Sequence, residues 1–307
     1  MKNKSALIIG YGSAGKRHAS LLKKNKFVSK IYVLTKQKCN DFIKISNISE
    51  IKKIDPYLII ISSRTSEHFK HLTYIEKNFN KKIVLVEKPL FEKFKKINIK
   101  KNKIYIGYNL RLHPIINFVK KFIKRKKIFS TNIYCHSYLP NWRKNINYKK
   151  SNSANKKFGG GVLLELSHEL DYLEWIFDKI IKINQVSIGK ISNLKVNTED
   201  FALITGRTKK VNFTIDLNYF SLNTQRMIII NGQNFSLKCD LIKNFVEIIT
   251  ENKKKVVKFN VKKDFTYNLQ LKKMLSENFE NLCNYKEGLK VLKVIDDVRK
   301  FNKYGKK

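Results

Sequence analysis

The stretch Ala6-Leu7-Ile8-Ile9-Gly10-Tyr11-Gly12-Ser13-Ala14-Gly15-Lys16-Arg17-His18 decides the fold. The apolar run reads as a buried strand, and residues 14–24 read as a helix. Between them lies Gly-x-Gly-x-x-Gly. Gly10 permits a tight turn, Gly12 lets the backbone approach a pyrophosphate, and Gly15 lets the helix pack close to the strand. Ser13 and Ala14 complete the turn. The helix N-terminus offers unbonded N–H groups and partial positive charge to an anion. Dinucleotide binding is the expectation.

Working outward, residues 31–34, 57–62, 82–86 and 103–108 are further apolar strands, and 65–79 is a helix with Thr65 or Ser66 as its N-cap. Continuous apolar strands separated by helices imply a parallel sheet covered on both faces. After about residue 113 the rhythm changes. A helix at 115–124 and a strand at 128–138 precede a long polar stretch and a strong helix at 161–177. Strands then follow without helices between them, at 180–188, 201–207, 211–218, 226–231, 235–239, 245–249 and 255–260. That pattern predicts a mostly antiparallel sheet. Two helices close the chain, near 267–284 and 287–302. The expected fold class is α/β. An N-terminal doubly wound parallel sheet (1–113) precedes a C-terminal α+β domain with a large, mostly antiparallel sheet (114–307).

The chain carries 64 Lys and Arg against 24 Asp and Glu, a net charge of +40. The excess is nearly all Lys and is spread from end to end. Specific nucleic-acid readers cluster Arg and Lys on one patch, with aromatics for stacking. The sequence therefore predicts no specific nucleic-acid partner, although the charge attracts anionic ligands. No apolar run approaches the roughly 18–20 residues of a membrane span, and no cleavage site follows the first strand. A cytoplasmic protein without membrane contact is expected. Cys39, Cys135, Cys239 and Cys283 form no CxxC pair, so free thiols and no metal site are expected.

About 20 residues past Gly15, an Asp or Glu would grip the adenosine ribose of NAD. Here stand Thr35 and Lys36. No carboxylate repels a 2′-phosphate, and a lysine is available to pair with it. The cofactor reading is NAD(P), leaning to NADP; the alternative is that Lys36 is one more surface lysine.

Three further segments bring a family into view: Val86-Glu87-Lys88-Pro89-Leu90, Gly107-Tyr108-Asn109-Leu110-Arg111, and Gly159-Gly160-Gly161 leading into Glu165-Leu166-Ser167-His168-Glu169-Leu170-Asp171. With the glycine turn, they resemble the Gfo/Idh/MocA family of NAD(P)-dependent oxidoreductases, which includes sugar, nucleotide-sugar and inositol dehydrogenases. The resemblance covers nearly the whole chain. It implies a Rossmann domain followed by a substrate-binding and oligomerisation domain, and a homodimer or homotetramer. The Tyr138–Arg143 run and Tyr148 resemble a branch associated with surface glycans, which implies a sugar or nucleotide-sugar substrate.

The resemblance assigns roles residue by residue. Lys88 points at the reacting carbon and shares the proton of the substrate oxygen. Glu87 contacts the nicotinamide ribose side, and the peptide before Pro89 is commonly cis. His168 works beside the lysine. Glu165 stands three residues before it, where many members carry Asp four residues before. The expectation is that Glu165, His168 and Tyr172 share one helix stripe, with Asp171 beside it. Ser63 and Thr65 line the cofactor, with His68 an ordinary first-turn residue. Asn109 and Arg111 are expected near cofactor and substrate. Trp142, Arg143 and Tyr148 are candidates for a substrate lid, since Arg forks anions and aromatic rings stack on sugars. Asp171 completes the substrate set. Two alternatives stay open: a packing role for His168, and a catalytically silent NAD(P)-binding regulator on the same fold.

Overall fold

The structure is a computed structural model describing residues 4–143 and 146–304. The chain forms two compact units. One comprises Met1–Asn109 with Asp264–Leu292, the other Leu110–Lys263 with Lys293–Lys307.

In the first unit, β1 (Lys4–Ile9), β2 (Val28–Leu34), β3 (Ile43–Ile45), β4 (Leu58–Ile61), β5 (Ile83–Val86) and β6 (Lys103–Ile106) run parallel. Their order is β3-β2-β1-β4-β5-β6. The helices α1 (Ser13–Lys23), α2 (Ile51–Ile54) and α3 (Thr65–Asn78) lie in the crossovers. Every residue of β4 and β5 is buried, as both-face coverage requires. The strand order reverses between β1 and β4, the place where such sheets bind ligands beyond their carboxyl ends.

The second unit contains α4 (Pro114–Phe122), β7 (Ile128–Tyr138), α5 (Val162–Glu165), α6 (His168–Phe177), β8 (Ile180–Gly189), β9 (Phe201–Thr208), β10 (Asn212–Asn218), β11 (Phe220–Gly232), β12 (Phe235–Asp240), β13 (Phe245–Thr250) and β14 (Lys253–Lys258). The sheet order is β14-β13-β12-β11-β7-β10-β9-β8. All neighbours pair antiparallel except β7 with β10. Thr131, Ile133 and Cys135 alternate as buried residues along β7, with partners Ile215, Leu217, Ile228 and Ile230 on β10 and β11.

A single boundary after residue 113 does not describe this chain. α7 (Phe265–Leu275) and β15 (Cys283–Asn284) return to the first unit, where β15 pairs antiparallel with the edge strand β6. α8 (Tyr285–Tyr304) closes the chain. The helix expected at 267–284 ends at Leu275, because Glu277 and Asn281 take left-handed φ values of 56° and 63°.

The helix expected at 161–177 is two helices. Ser167 Oγ donates to Leu164 O at 2.8 Å, and Leu166 leaves helical geometry at φ −100°, ψ 27°. A serine hydroxyl that takes a backbone carbonyl competes with the helix ladder. The apolar seam Leu163, Leu166, Leu170, Leu173 and Phe177 is buried as its spacing predicts.

Two ion pairs fasten α6. Glu169 accepts from Arg226 Nε at 2.8 Å, which ties α6 to β11. Asp171 is forked by Arg111, with Nε to Oδ2 at 2.9 Å and Nη2 to Oδ1 at 2.7 Å. The two side chains are only 4% and 1% exposed. Among the described residues, no helix is long and apolar enough to cross a membrane.

Asp171→Ala leaves the Arg111 guanidinium buried without its fork. Urea unfolding should show a loss of about 3–5 kcal/mol, the usual cost of removing one partner from a buried pair.

Candidate functional site

The glycine turn is built by close approach. Gly10 has φ 95°, and a Cβ on it would lie 2.6 Å from the Ser63 backbone. A Cβ on Gly15 would lie 2.2 Å from Gly10 O. Gly12 differs: a Cβ there meets nothing within 4 Å. Gly12 is the N-cap of α1, has no side-chain cap, and is followed by no acidic residue in the first turn. The first helical bond runs from Lys16 N to Gly12 O. The N–H groups of Ser13, Ala14 and Gly15 precede that bond, and helix geometry leaves them without an intrahelical acceptor. An open cradle over free N–H groups fits a pyrophosphate.

At the end of β2, Thr35 is buried and its Oγ1 accepts from Gln37 N at 3.0 Å, so this side chain shapes the turn. Lys36 is exposed. At the end of β4, Ser62 Oγ donates to Gly10 O at 2.9 Å, which fastens the two strand ends together. Ser63 Oγ pairs with His71 Nδ1 at 2.9 Å. The N-cap of α3 is Arg64 rather than Thr65 or Ser66, and Thr65 is the first helical residue.

His68 has a larger role than a first-turn position suggests. It is buried, with Nδ1 3.1 Å from Pro89 O and Nε2 3.1 Å from Ser63 O. Burial pushes its pKa below the ordinary value, against the pull of those carbonyls and of Glu87. It ties the exit of β4 to the exit of β5.

Lys88 follows β5 and is half-buried, and its peptide to Pro89 is cis. Glu87 is buried. Its Oε1 lies 2.7 Å from His18 Nε2, and its Oε2 accepts from Lys88 N at 3.2 Å. Burial acts most strongly against its charge, yet the His18 hydrogen bond, the Lys88 charge and the Lys88 N–H hold its pKa below the ordinary carboxylate value. Both oxygens of Glu87 are thus engaged within the first unit. Asn109 is buried, with no hydrogen-bond partner for Nδ2 among the described residues.

In the second unit, Arg111 forks Asp171 in a buried pair. Glu165 ends α5 and His168 begins α6, so the expected single stripe does not exist. Glu165 Oε1 accepts from Ser153 Oγ at 3.0 Å. Tyr172 turns instead to Glu169, its hydroxyl 3.4 Å from Oε1. His168 is buried at the start of α6. Trp142, Arg143 and Tyr148 do come together, lining a shallow recess with Ser151 and Ser153. Trp142 Nε1 donates to Ser137 Oγ at 2.9 Å, and its ring meets Tyr219 edge-on at 5.2 Å. The Tyr219 hydroxyl is buried with no hydrogen-bond partner among the described residues. Burial, Glu165 and Glu199 push its pKa well above the ordinary value. Among the described residues, no three His, Cys, Asp or Glu side chains are grouped to hold a metal.

The family model for the C-terminal alpha/beta domain of the Gfo/Idh/MocA oxidoreductase family matches residues 123–304. The chain belongs to the Gfo/Idh/MocA oxidoreductase family. Against curated proteins the sequence finds no match. Solved structures are similar over almost the full length. The WlbA dehydrogenase from Bordetella pertussis, in complex with NADH and UDP-GlcNAcA, has 13% identity and a TM-score of 0.78, covering 99% of this chain and 98% of that one. The UDP-N-acetylglucosamine 3-dehydrogenase GnnA from Acidithiobacillus ferrooxidans has 14% identity and a TM-score of 0.78, covering 97% of each chain. A levoglucosan dehydrogenase in complex with NADH has 14% identity and a TM-score of 0.81, covering 99% and 98%. At such identity the likeness is one of fold, and it agrees with the doubly wound and mostly antiparallel sheets of this Gfo/Idh/MocA chain.

Gly12→Ala and Gly15→Ala should behave oppositely. The Gly12 methyl enters open space, so urea stability should change by no more than about 0.5 kcal/mol. Dinucleotide affinity, read by fluorescence titration, should drop about tenfold or more, some 1.4 kcal/mol. Gly15→Ala forces backbone apart and should cost about 1–3 kcal/mol of stability.

Proposed function

We propose that this protein is an NAD(P)-dependent dehydrogenase or reductase acting on a CH–OH or carbonyl carbon of a sugar or nucleotide sugar. The carrying observation is the open, uncapped cradle at Gly12 in the same unit as Lys88, which follows β5 at the carboxyl end of the sheet. Family membership supports the redox chemistry. The nucleotide-sugar ligand of WlbA and the named substrate of GnnA support the substrate class. The resemblance of the Tyr138–Arg143 segment to a surface-glycan branch of the family supports a role in surface-glycan synthesis.

When bound, the dinucleotide accepts or returns the hydride. The protein handles the remaining proton. In oxidation, Lys88 Nζ takes the proton of the substrate hydroxyl as the carbon–hydrogen bond breaks; in reduction it gives that proton back. His168 passes the proton on. Gly10, Gly12, Ser13, Ala14 and Gly15 form the pyrophosphate turn, and Ser63, Thr65 and Asn109 line the nicotinamide half. Trp142, Arg143 and Tyr148 contact the sugar-like substrate, while Glu165 shapes their surroundings through Ser153. The sheet face that carries Asn132, Tyr134 and His136, opposite Cys135 and α6, is the surface for assembly into a homodimer or homotetramer.

Lys88→Met keeps the apolar stem and removes the ammonium. With a substrate found by screening sugars, sugar acids and nucleotide sugars, turnover should fall by about 10²–10⁴, while cofactor binding survives. His168→Ala should also slow turnover, and the double variant should lose less than the product of the two if they serve one proton. Near-normal turnover in Lys88→Met overturns the assignment. Absence of any reacting substrate favours the silent regulator.

The cofactor preference is NADP(H), carried by Lys36 and by the lack of a carboxylate at the end of β2. Lys36→Asp should reverse or erase a tighter binding of NADPH over NADH in paired titrations. A wild-type protein that prefers NADH removes this preference and leaves the enzyme reading standing.

A further inference from the structure

His18 has no part in the roles assigned above, yet it is 0% exposed on the inner face of α1. Its Nε2 lies 2.7 Å from Glu87 Oε1. An ionised carboxylate only accepts, so Nε2 carries the hydrogen. The other nitrogen, Nδ1, is buried with no hydrogen-bond partner among the described residues, and a hydrogen there would be stranded. The ring also meets Tyr267 of α7 edge-on, with centroids 5.5 Å apart. The imidazole is thereby confined to one tautomer aimed at one acceptor. Glu87 carries the contact onward, since its second oxygen accepts from the Lys88 N–H at 3.2 Å. Gly107 keeps that geometry possible. A Cβ there would lie 2.9 Å from Glu87 Oε2 and 3.1 Å from Lys88 N.

We infer that His18 is a positioning residue for the proposed hydride transfer: through the Glu87 carboxylate it fixes the Lys88 main chain at the exit of β5. Its kinetic consequence rests on the enzyme reading above; the chain of hydrogen bonds does not. The charged and titratable groups that face Glu87 are His18 from α1, Lys88 beside it, His68 from α3 and Tyr267 from α7. Of these, only His18 donates a side-chain hydrogen bond to it in the structure. A small displacement of a reacting group is costly: about 1 Å can remove 10²-fold in rate. One buried donor on the helix that begins at the pyrophosphate turn therefore bears on the geometry of the reacting lysine.

The test uses the full chain with NADPH bound. In ¹H–¹⁵N spectra, the Lys88 amide should shift in His18→Leu and return towards its wild-type position in His18→Gln, which keeps a donor at similar reach. An unmoved Lys88 amide in His18→Leu overturns the inference whether or not a substrate is known. With a substrate, His18→Leu should lower kcat by about 10- to 10²-fold with little change in NADPH Kd, and His18→Gln should recover most of it. The acid limb of the kcat profile should also move to higher pH in His18→Leu. Burial raises the Glu87 pKa and the His18 hydrogen bond lowers it, so removing His18 leaves the raising influence less opposed. Equal losses of kcat and stability in both variants, with no shift of the acid limb, would reduce His18 to packing. Failure of wild-type turnover with every substrate counts against the enzyme reading alone, because the amide readout still decides the role of His18.

Discussion

The close approach of backbone at Gly10 and Gly15 is the constraint on which the first unit depends. β1, the start of α1 and the exit of β4 occupy one small volume, and a side chain at either glycine would collide with main chain. Once that turn is closed, α1 lies tight against the sheet, and its buried face is Gly15, His18, Ala19 and Leu22. The spacing of that face puts His18 under the exit of β5. The geometry that presents free N–H groups to an anion thus also delivers the donor that holds Glu87. Ser62 and His68 complete the arrangement from the exit of β4, so the ends of β1, β4 and β5 are joined by side chains bonding to main chain.

The second unit pairs its buried charges around α6. Arg111, Asp171, Glu169 and Arg226 are the residue types that recognise anions and hydroxyls, and two of them lie on a helix next to a histidine. Their hydrogen bonds turn inward. Arg111 forks Asp171, and Glu169 accepts from Arg226 and Tyr172. These pairs hold α6 in place, with His168 at its start. Cys135 lies in the same layer, where burial pushes its thiol up to about 12, so it stays protonated.

The glycine turn, the parallel strands and the change of rhythm near residue 113 were legible because each rests on local chemistry: φ freedom, continuous apolar runs, and alternation. The Lys88 segment was legible as the end of a buried strand. The recess of Trp142, Arg143 and Tyr148 was also within reach, since its members are close in sequence. The break between α5 and α6 was less visible. Only Ser167 signalled it, and a serine inside an apolar helical pattern is tolerated as often as it interrupts. His68 offered a fainter signal still, because its partners are carbonyls of residues 63, 89 and 90, which no periodicity connects.

The sequence by itself determined the dinucleotide turn, the order of secondary elements and the residue types available for proton transfer. Those depend on backbone freedom and hydrophobic period, which act over a few residues. Tertiary structure decided which charged groups and strand edges pair with one another. Glu87 became the partner of His18, Arg111 that of Asp171, and residues 264–292 rejoined the first unit through the edge of β6. Each outcome joins groups about 60 to 180 residues apart. Burial makes an unpaired charge or strand edge costly, so such groups pair with whatever the fold brings to them, and local sequence carries no record of that partner.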